Sequence, residues 1–131
     1  MIIERIDHFV LTVSDIDATC DFYERTLSMQ REIFEEGRTA LKFGRQKINL
    51  HSRGREYEPK AKNTVAGSGD FCLITRTPID EVVKKLEAAG VNIELSPSQR
   101  TGASGPICSV YFRDPDGNLV EISNYEGEID D

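Results

Sequence analysis

Two histidines are all this chain possesses, His8 and His51, and both fall in segments where apolar residues alternate with others. In residues 6–13 (Ile-Asp-His-Phe-Val-Leu-Thr-Val) one parity carries Phe9, Leu11 and Val13, the other His8, Val10 and Thr12. In residues 47–52, Ile48 and Leu50 alternate with Lys47, Asn49 and His51, and near the C-terminus Val120 and Ile122 alternate with Leu119, Glu121 and Ser123. The strictly apolar parity belongs beneath helices, which must cover one face of a sheet. The other parity then gathers His8, Lys47, Asn49 and His51 with Asp70, Cys72, Ser109, Tyr111 and Glu121. Imidazole and carboxylate are ligands for zinc, nickel, iron or manganese, and a carboxylate can also move a proton. His8, His51 and Glu121 are the strongest trio for such a centre. Each also has a plain structural reading, as a hydrogen-bonded imidazole or an exposed strand carboxylate, and Cys72 reads as packing.

The elements that must position these residues follow from periodicity and punctuation. Residues 6–13 read as a strand. Ser14 with Asp17 three positions on is a capping-box pattern, and Ile16, Cys20, Tyr23 and Leu27 recur at helical spacing. Strands are expected near 30–35, 40–43 and 47–52, punctuated by Gly37 and Gly44. The pattern returns after Gly69: a strand over 70–75, a helix start at Thr77-Pro78 with Pro in the first helical position, an apolar stripe of Ile79, Val82, Val83, Leu86 and Ala89, and a stop at Gly90. Strands are then expected at 92–95, 107–113 and 119–123, the last two joined by the turn Asp114-Pro115-Asp116-Gly117-Asn118 with Gly117 left-handed. In this hairpin Asp116 and Arg113 are read as structural, aiming Glu121. The fold class is thus α+β, two paired βαβββ modules over about 1–52 and 69–125, joined by the charged loop 53–68. The acidic tail 126–131 is expected to fray.

Composition narrows the classes of function. A chain of 131 residues makes one domain able to bury a core without staples. The cysteines Cys20, Cys72 and Cys108 are odd in number and dispersed, which reads as reduced thiols in the cytoplasm. No run approaches the ~20 apolar residues of a membrane span, and the N-terminal residues lack a signal-peptide pattern. A net charge of −7 argues against nucleic acid as a partner. Between Lys42 and Lys62, however, seven basic residues face only Glu56 and Glu58, a patch suited to an anionic small molecule.

Three segments carry a resemblance: residues 6–13, Asp21-Phe22-Tyr23-Glu24-Arg25-Thr26-Leu27, and above all Tyr111-Phe112-Arg113-Asp114-Pro115-Asp116-Gly117-Asn118-Leu119-Val120-Glu121. Together they resemble the vicinal-oxygen-chelate superfamily of glyoxalase I, fosfomycin-resistance enzymes, bleomycin-binding proteins and extradiol dioxygenases. The resemblance implies a cup-shaped mixed eight-stranded sheet with helices on its convex face. It also implies metal ligands from the first and last strands of each module, with His8 and Glu121 matching two of those positions. At the other two this chain has Asp70 in place of histidine and Asn49 in place of a carboxylate. Gln46-Lys47-Ile48-Asn49-Leu50-His51 is similar to the subgroup of the glyoxalase-domain-containing protein 5 and bacterial virulence-associated lactoylglutathione-lyase-like proteins. His51, two residues past Asn49, shares its parity and is a candidate replacement ligand.

The resemblance implies a metal-dependent lyase or isomerase acting on an oxygen-rich anion such as the hemithioacetal of methylglyoxal and glutathione. Its divalent ion (Ni, Zn, Mn or Fe) would be held by His8, His51, Glu121 and Asp70, and Glu121 would be ligand and catalytic base by turns. Lys47 and Arg53 would meet substrate carboxylates, with Asn49, Ser109 and Tyr111 lining the same face. A metal-free module that sequesters a drug or metabolite is the competing class, and an Fe(II) dioxygenase the third. The resembled superfamily also implies a homodimer, which would cover exposed sheet edges.

Overall fold

Segments in which apolar residues alternate with others form most of the strands, and each helix follows the first strand of a repeated pattern, so the chain order is strand, helix, three strands, taken twice. The structure, a computed structural model, describes residues 1–127. The first set is β1 (His8–Val13), α1 (Ile16–Leu27), β2 (Gln30–Phe34), β3 (Arg38–Phe43) and β4 (Gln46–Ser52). The second is β5 (Asp70–Ile74), α2 (Ile79–Ala88), β6 (Leu95–Gly102), β7 (Gly105–Arg113) and β8 (Leu119–Tyr125). They form two four-stranded mixed sheets, ordered β1-β4-β3-β2 and β5-β8-β7-β6, each with one parallel pair and two antiparallel pairs. This is the expected α+β pair of βαβββ modules. No helix among the described residues is long and apolar enough to cross a membrane.

The chain divides into two compact units, residues 1–68 with 115–117, and residues 69–114 with 118 onward; the loop 53–68 groups with the first. In the first, Leu11, Val13, Leu41, Ile48 and Leu50 are buried together with Thr19, Cys20 and Tyr23 of α1. In the second, Val110, Phe112, Val120 and Ile122 are buried together with Val82 and Leu86 of α2. The apolar parities read from sequence are therefore the buried ones. The expected fraying of the tail concerns residues that, from 128 on, lie outside those described.

Three local expectations are corrected. The N-cap of α1 is Asp15, whose side chain accepts from Ala18 N at 3.0 Å. Ser14 instead donates its hydroxyl to Asp116 at 2.6 Å and its backbone N–H to the same carboxylate, while Asp17 pairs with Arg31 at 2.9 Å. In the second unit Pro78 is the N-cap rather than the first helical residue. The sixth strand runs over 95–102, not 92–95. It is the edge strand, where Pro97 removes no ladder bond that the sheet requires, and its pairing with β7 is irregular between Leu95 and Ser98.

The turn before β8 is locked by a pair that pattern reading did not single out. Asp114 and Asn118, both buried, are joined twice: Asn118 N to Asp114 Oδ1 at 2.9 Å and Asn118 Nδ2 to Asp114 Oδ2 at 2.8 Å. Asn118 Oδ1 then accepts from Gly69 N at 2.7 Å, setting the start of β5 against β8. The Asp116 carboxylate binds Ser14, a partner the turn reading did not include, and Arg113 binds Glu94 at 2.8 Å. Gly117 has φ +88 with nothing within 4 Å of where a Cβ would stand, so only backbone strain opposes a side chain there. Gly117→Ala should cost about 1 kcal/mol and lower Tm by roughly 3 °C, whereas Gly117→Asn should cost less. Thermal melts of the two variants check this, and equal melting of Ala variant and wild type would refute the strain.

Candidate functional site

In the first unit the residues turned away from α1 are set by strand register. β1 and β4 pair in parallel with His8 opposite Lys47, Val10 opposite Asn49 and Thr12 opposite His51. Ala40 of β3 lies opposite Asn49 and Lys42 opposite Lys47. His8 is exposed, and its Nδ1 lies 2.8 Å from Asp7 Oδ2. An ionised carboxylate can only accept, so the proton sits on Nδ1 and the Nε2 lone pair is left available. That hydrogen bond is the main reason the Asp7 carboxyl is held below the usual range. An imidazole oriented by a carboxylate on its far nitrogen is the arrangement that metal-binding histidines adopt.

His51 lives in another environment. It is buried, with its ring edge-on to Tyr57 at 5.4 Å and its Nε2 3.4 Å from Arg38 Nη2. Burial first, and the Arg38 charge second, push its pKa below 6.5, despite an opposing contribution from Glu56. Along the strand pair His51 stands four register steps from His8, about 13 Å at ~3.3 Å per residue. The structure therefore puts the two imidazoles on one face but does not bring them together. Parity fixes the face; it says nothing of position along the strand. Lys47 lies over the Phe34 ring, its Nζ 3.7 Å from the centroid, Asn49 is buried, and Arg53 is exposed just past the end of β4.

The second unit offers hydroxyls and a carboxylate. Glu121 stands opposite Cys72 on one side and Tyr111 on the other, and Ser123 stands opposite Ile74 and Ser109. Ser109 Oγ donates to Glu121 Oε2 at 2.6 Å. Having spent its only proton there, Ser109 must accept from Ser123 Oγ, also at 2.6 Å, and Ser123 in turn accepts from Cys72 Sγ at 3.2 Å. Burial, chiefly, raises the Cys72 pKa, which keeps it a thiol able to donate. One oxygen of Glu121 is thus pinned and the carboxylate is oriented. Tyr111 OH accepts from Arg100 Nε at 3.1 Å. Asp70 is exposed, one strand over and two positions before the Glu121 level, a diagonal of roughly 7–8 Å between Cα atoms. Among the described residues no group of three or more His, Cys, Asp or Glu is arranged to hold a metal ion.

Pattern reading missed Arg38, Tyr57, Phe34 and Arg100. Arg38 falls two residues before the expected start of β3, and Arg100 belongs to the strand whose bounds were misread. Tyr57 lies in the loop 53–68, where no periodicity exists to place it.

The depressed pKa of His51 has a sign that can be tested. The unfolded chain binds this proton near pH 6.5 while the folded chain does not, so the stabilisation is complete above about pH 6.5 and is lost as pH falls toward the folded value. Melting temperatures between about pH 7.5 and 5.5 should fall more steeply for wild type than for His51→Gln. Parallel curves would show that His51 does not titrate abnormally.

Residues 5–122 match the model of the Glyoxalase/Bleomycin resistance protein/Dioxygenase superfamily. The chain is 56% identical over 125 residues to virulence protein STM3117 of Salmonella typhimurium, covering 95% of this chain and 87% of that one. The crystal structure of that protein aligns with TM-score 0.94, covering 95% of this chain and 99% of the other. The glyoxalase domain-containing protein RDO1 of Mycosarcoma maydis is 48% identical over 95% of this chain and 70% of its own. The crystal structure of a lactoylglutathione lyase from Agrobacterium tumefaciens aligns with TM-score 0.69 at 27% identity, over 92% of each chain. With nearly its whole length matched by the family model and with relatives of this identity, the chain belongs to the glyoxalase/bleomycin resistance/dioxygenase superfamily.

Proposed function

We propose that this protein is a metal-dependent lyase or isomerase of small oxygen-rich anions, with the hemithioacetal of methylglyoxal and glutathione the first substrate to assay. The observation that carries the reading is the Asp7–His8 pair, which holds an exposed imidazole with Nε2 available, as a metal ligand requires. Glu121 supplies the second half: one oxygen is pinned by Ser109 and the other is not committed to that hydroxyl. The name of the Agrobacterium relative supports the lyase chemistry.

The residues that the resemblance would give the ion are His8 in the first unit and Glu121 and Asp70 in the second. They make a donor set of one imidazole and two carboxylates that suits nickel, zinc, manganese or iron. His51, buried against Tyr57 and Arg38, is not needed in it. When bound, the ion would polarise neighbouring substrate oxygens and stabilise an enediolate. The chain's own part is to move the proton. The Glu121 carboxylate takes it from one carbon and returns it to the next, held at a fixed angle by Ser109 while Lys47 and Arg53 attract the substrate's anionic end. As a member of a superfamily with this chemistry, the protein is expected to be a dimer in light scattering.

Metal content and turnover test the reading together. Protein purified without chelator and loaded with nickel or zinc should carry metal and form S-lactoylglutathione. His8→Ala and Glu121→Gln should each lose metal and activity together. Iron with oxygen uptake would point to dioxygenase chemistry instead, and no metal under replete conditions would leave sequestration as the better reading. Ser109→Ala should keep the metal but lower kcat by about 10-fold, since it orients Glu121 without touching substrate; unchanged kcat would remove that role.

A further inference from the structure

Two buried polar groups of the first unit are left without partners by every interaction described above. Asn49 and His51, alternate residues of β4, are 6% and 3% exposed, yet Asn49 Oδ1 and His51 Nδ1 make no hydrogen bond. A buried polar atom left unsatisfied keeps its full desolvation penalty, and native interiors seldom tolerate one without a use for it. Valine or isoleucine would fill both strand positions at no such cost. Two adjacent orphans on one strand face call for a third party that pairs with both.

The geometry states what that party must offer. Arg38 Nη2 can only donate, so His51 Nε2 accepts from it, the imidazole proton resides on Nδ1, and Nδ1 is a donor in search of an acceptor. Asn49 Oδ1 is an acceptor in search of a donor. The surroundings choose the charge. Arg38 lies over Tyr57 at 4.4 Å and beside Phe34 at 5.5 Å, and Lys47 lies over the same Phe34 ring at 3.7 Å. Both cations are thus held in place by aromatic faces. Lys47 forms no ion pair among the described residues, and Arg38 reaches Glu35 only at 3.5 Å, where that carboxylate is largely exposed. Glu56, the acidic neighbour of His51, is already taken up by Gly54 N–H at 2.8 Å and Lys60 at 4.0 Å.

We propose that this face of the first unit is a binding subsite for a 2-hydroxycarboxylate group. The carboxylate accepts from His51 Nδ1–H, drawn there by the positive field of Arg38 and Lys47 rather than by contact with them, and the adjacent hydroxyl donates to Asn49 Oδ1. His51 is then a substrate-binding residue and not a metal ligand. The subsite rests on the preceding reading only for its substrate class, an oxygen-rich anion, and requires no metal.

Glycolate, the smallest such ligand, is the probe, with acetate and ethylene glycol as its separate halves. Metal-stripped protein labelled with ¹⁵N-histidine is titrated while the His51 ring resonances are followed. Glycolate should shift them saturably and bind about 10-fold more tightly than acetate, the worth of one added hydrogen bond of about 1.4 kcal/mol. Asn49→Leu, which keeps the γ-branched shape and removes the acceptor, should bring glycolate down to the affinity of acetate; Arg38→Gln should weaken both anions. Equal affinities for glycolate and acetate in wild type would overturn the proposal. So would a water bridging His51 Nδ1 and Asn49 Oδ1 that stays in place in crystals grown with glycolate. Because the titration uses no metal, its failure leaves the metal reading standing, and a metal-free wild type leaves the glycolate result standing.

Discussion

A helix of about three turns laid across a four-stranded sheet buries the apolar parity of the strands beneath it, most fully in β4 and β8. In both units that burial is nearly complete: Ile48 and Leu50, or Val120 and Ile122, are at most 4% exposed. Area removed from water at this density, roughly 25 cal/mol per Å², fixes the strand register, because a slip of one residue would put Lys47, Asn49 and His51 under α1. The polar residues of the opposite parity are therefore held by an apolar interaction in which they take no part. Their identity is free to vary for chemistry while the face they occupy is not.

The two units use this freedom differently. In the first, the strand face opposite the helix is cationic and aromatic, with Arg38, Lys47, Phe34 and Tyr57 stacked on one another. In the second, it is a line of hydroxyls that ends on a carboxylate, with proton direction imposed by the one group that can only accept. A cationic, aromatic face and a hydroxyl–carboxylate face are thus divided between repeats of one architecture. Each half keeps the helix-over-sheet packing and changes only the outward parity.

Most of this was legible in the sequence, for a physical reason: period-two alternation and helical spacing are direct records of burial. Seven of the eight strands and both helices were anticipated in place, and Gly90 and Gly117 were read as punctuation and are found with positive φ. The misreadings share a cause. β6 is an edge strand with polar residues and Pro97, so little burial marks it. Ser14 and Asp15 are equally good caps by type, and the choice between them was made by Asp116, a partner 102 residues away. For the candidate site, parity put Lys47, Asn49 and Glu121 on the strand parity opposite the helix-covered one, and the strand registers agree. It could not tell that His8 and His51 lie far apart along it, nor supply Tyr57, which arrives from a loop with no period.

The carboxylate of Asp116 holds both the backbone N–H and the hydroxyl of Ser14, at the entrance to α1, across 102 residues of chain. On the ribosome this has a timing consequence. At roughly 5–20 residues per second, Ser14 waits about 5–20 s for its partner to be made. During that interval Asp15 alone must cap the nascent helix, and residues 1–68 are synthesised well before the 115–117 segment that completes their unit. The last tie is fastened by a turn that exists only after three of the four strands of the second sheet have been synthesised, so the first unit cannot finish maturing on its own contiguous residues.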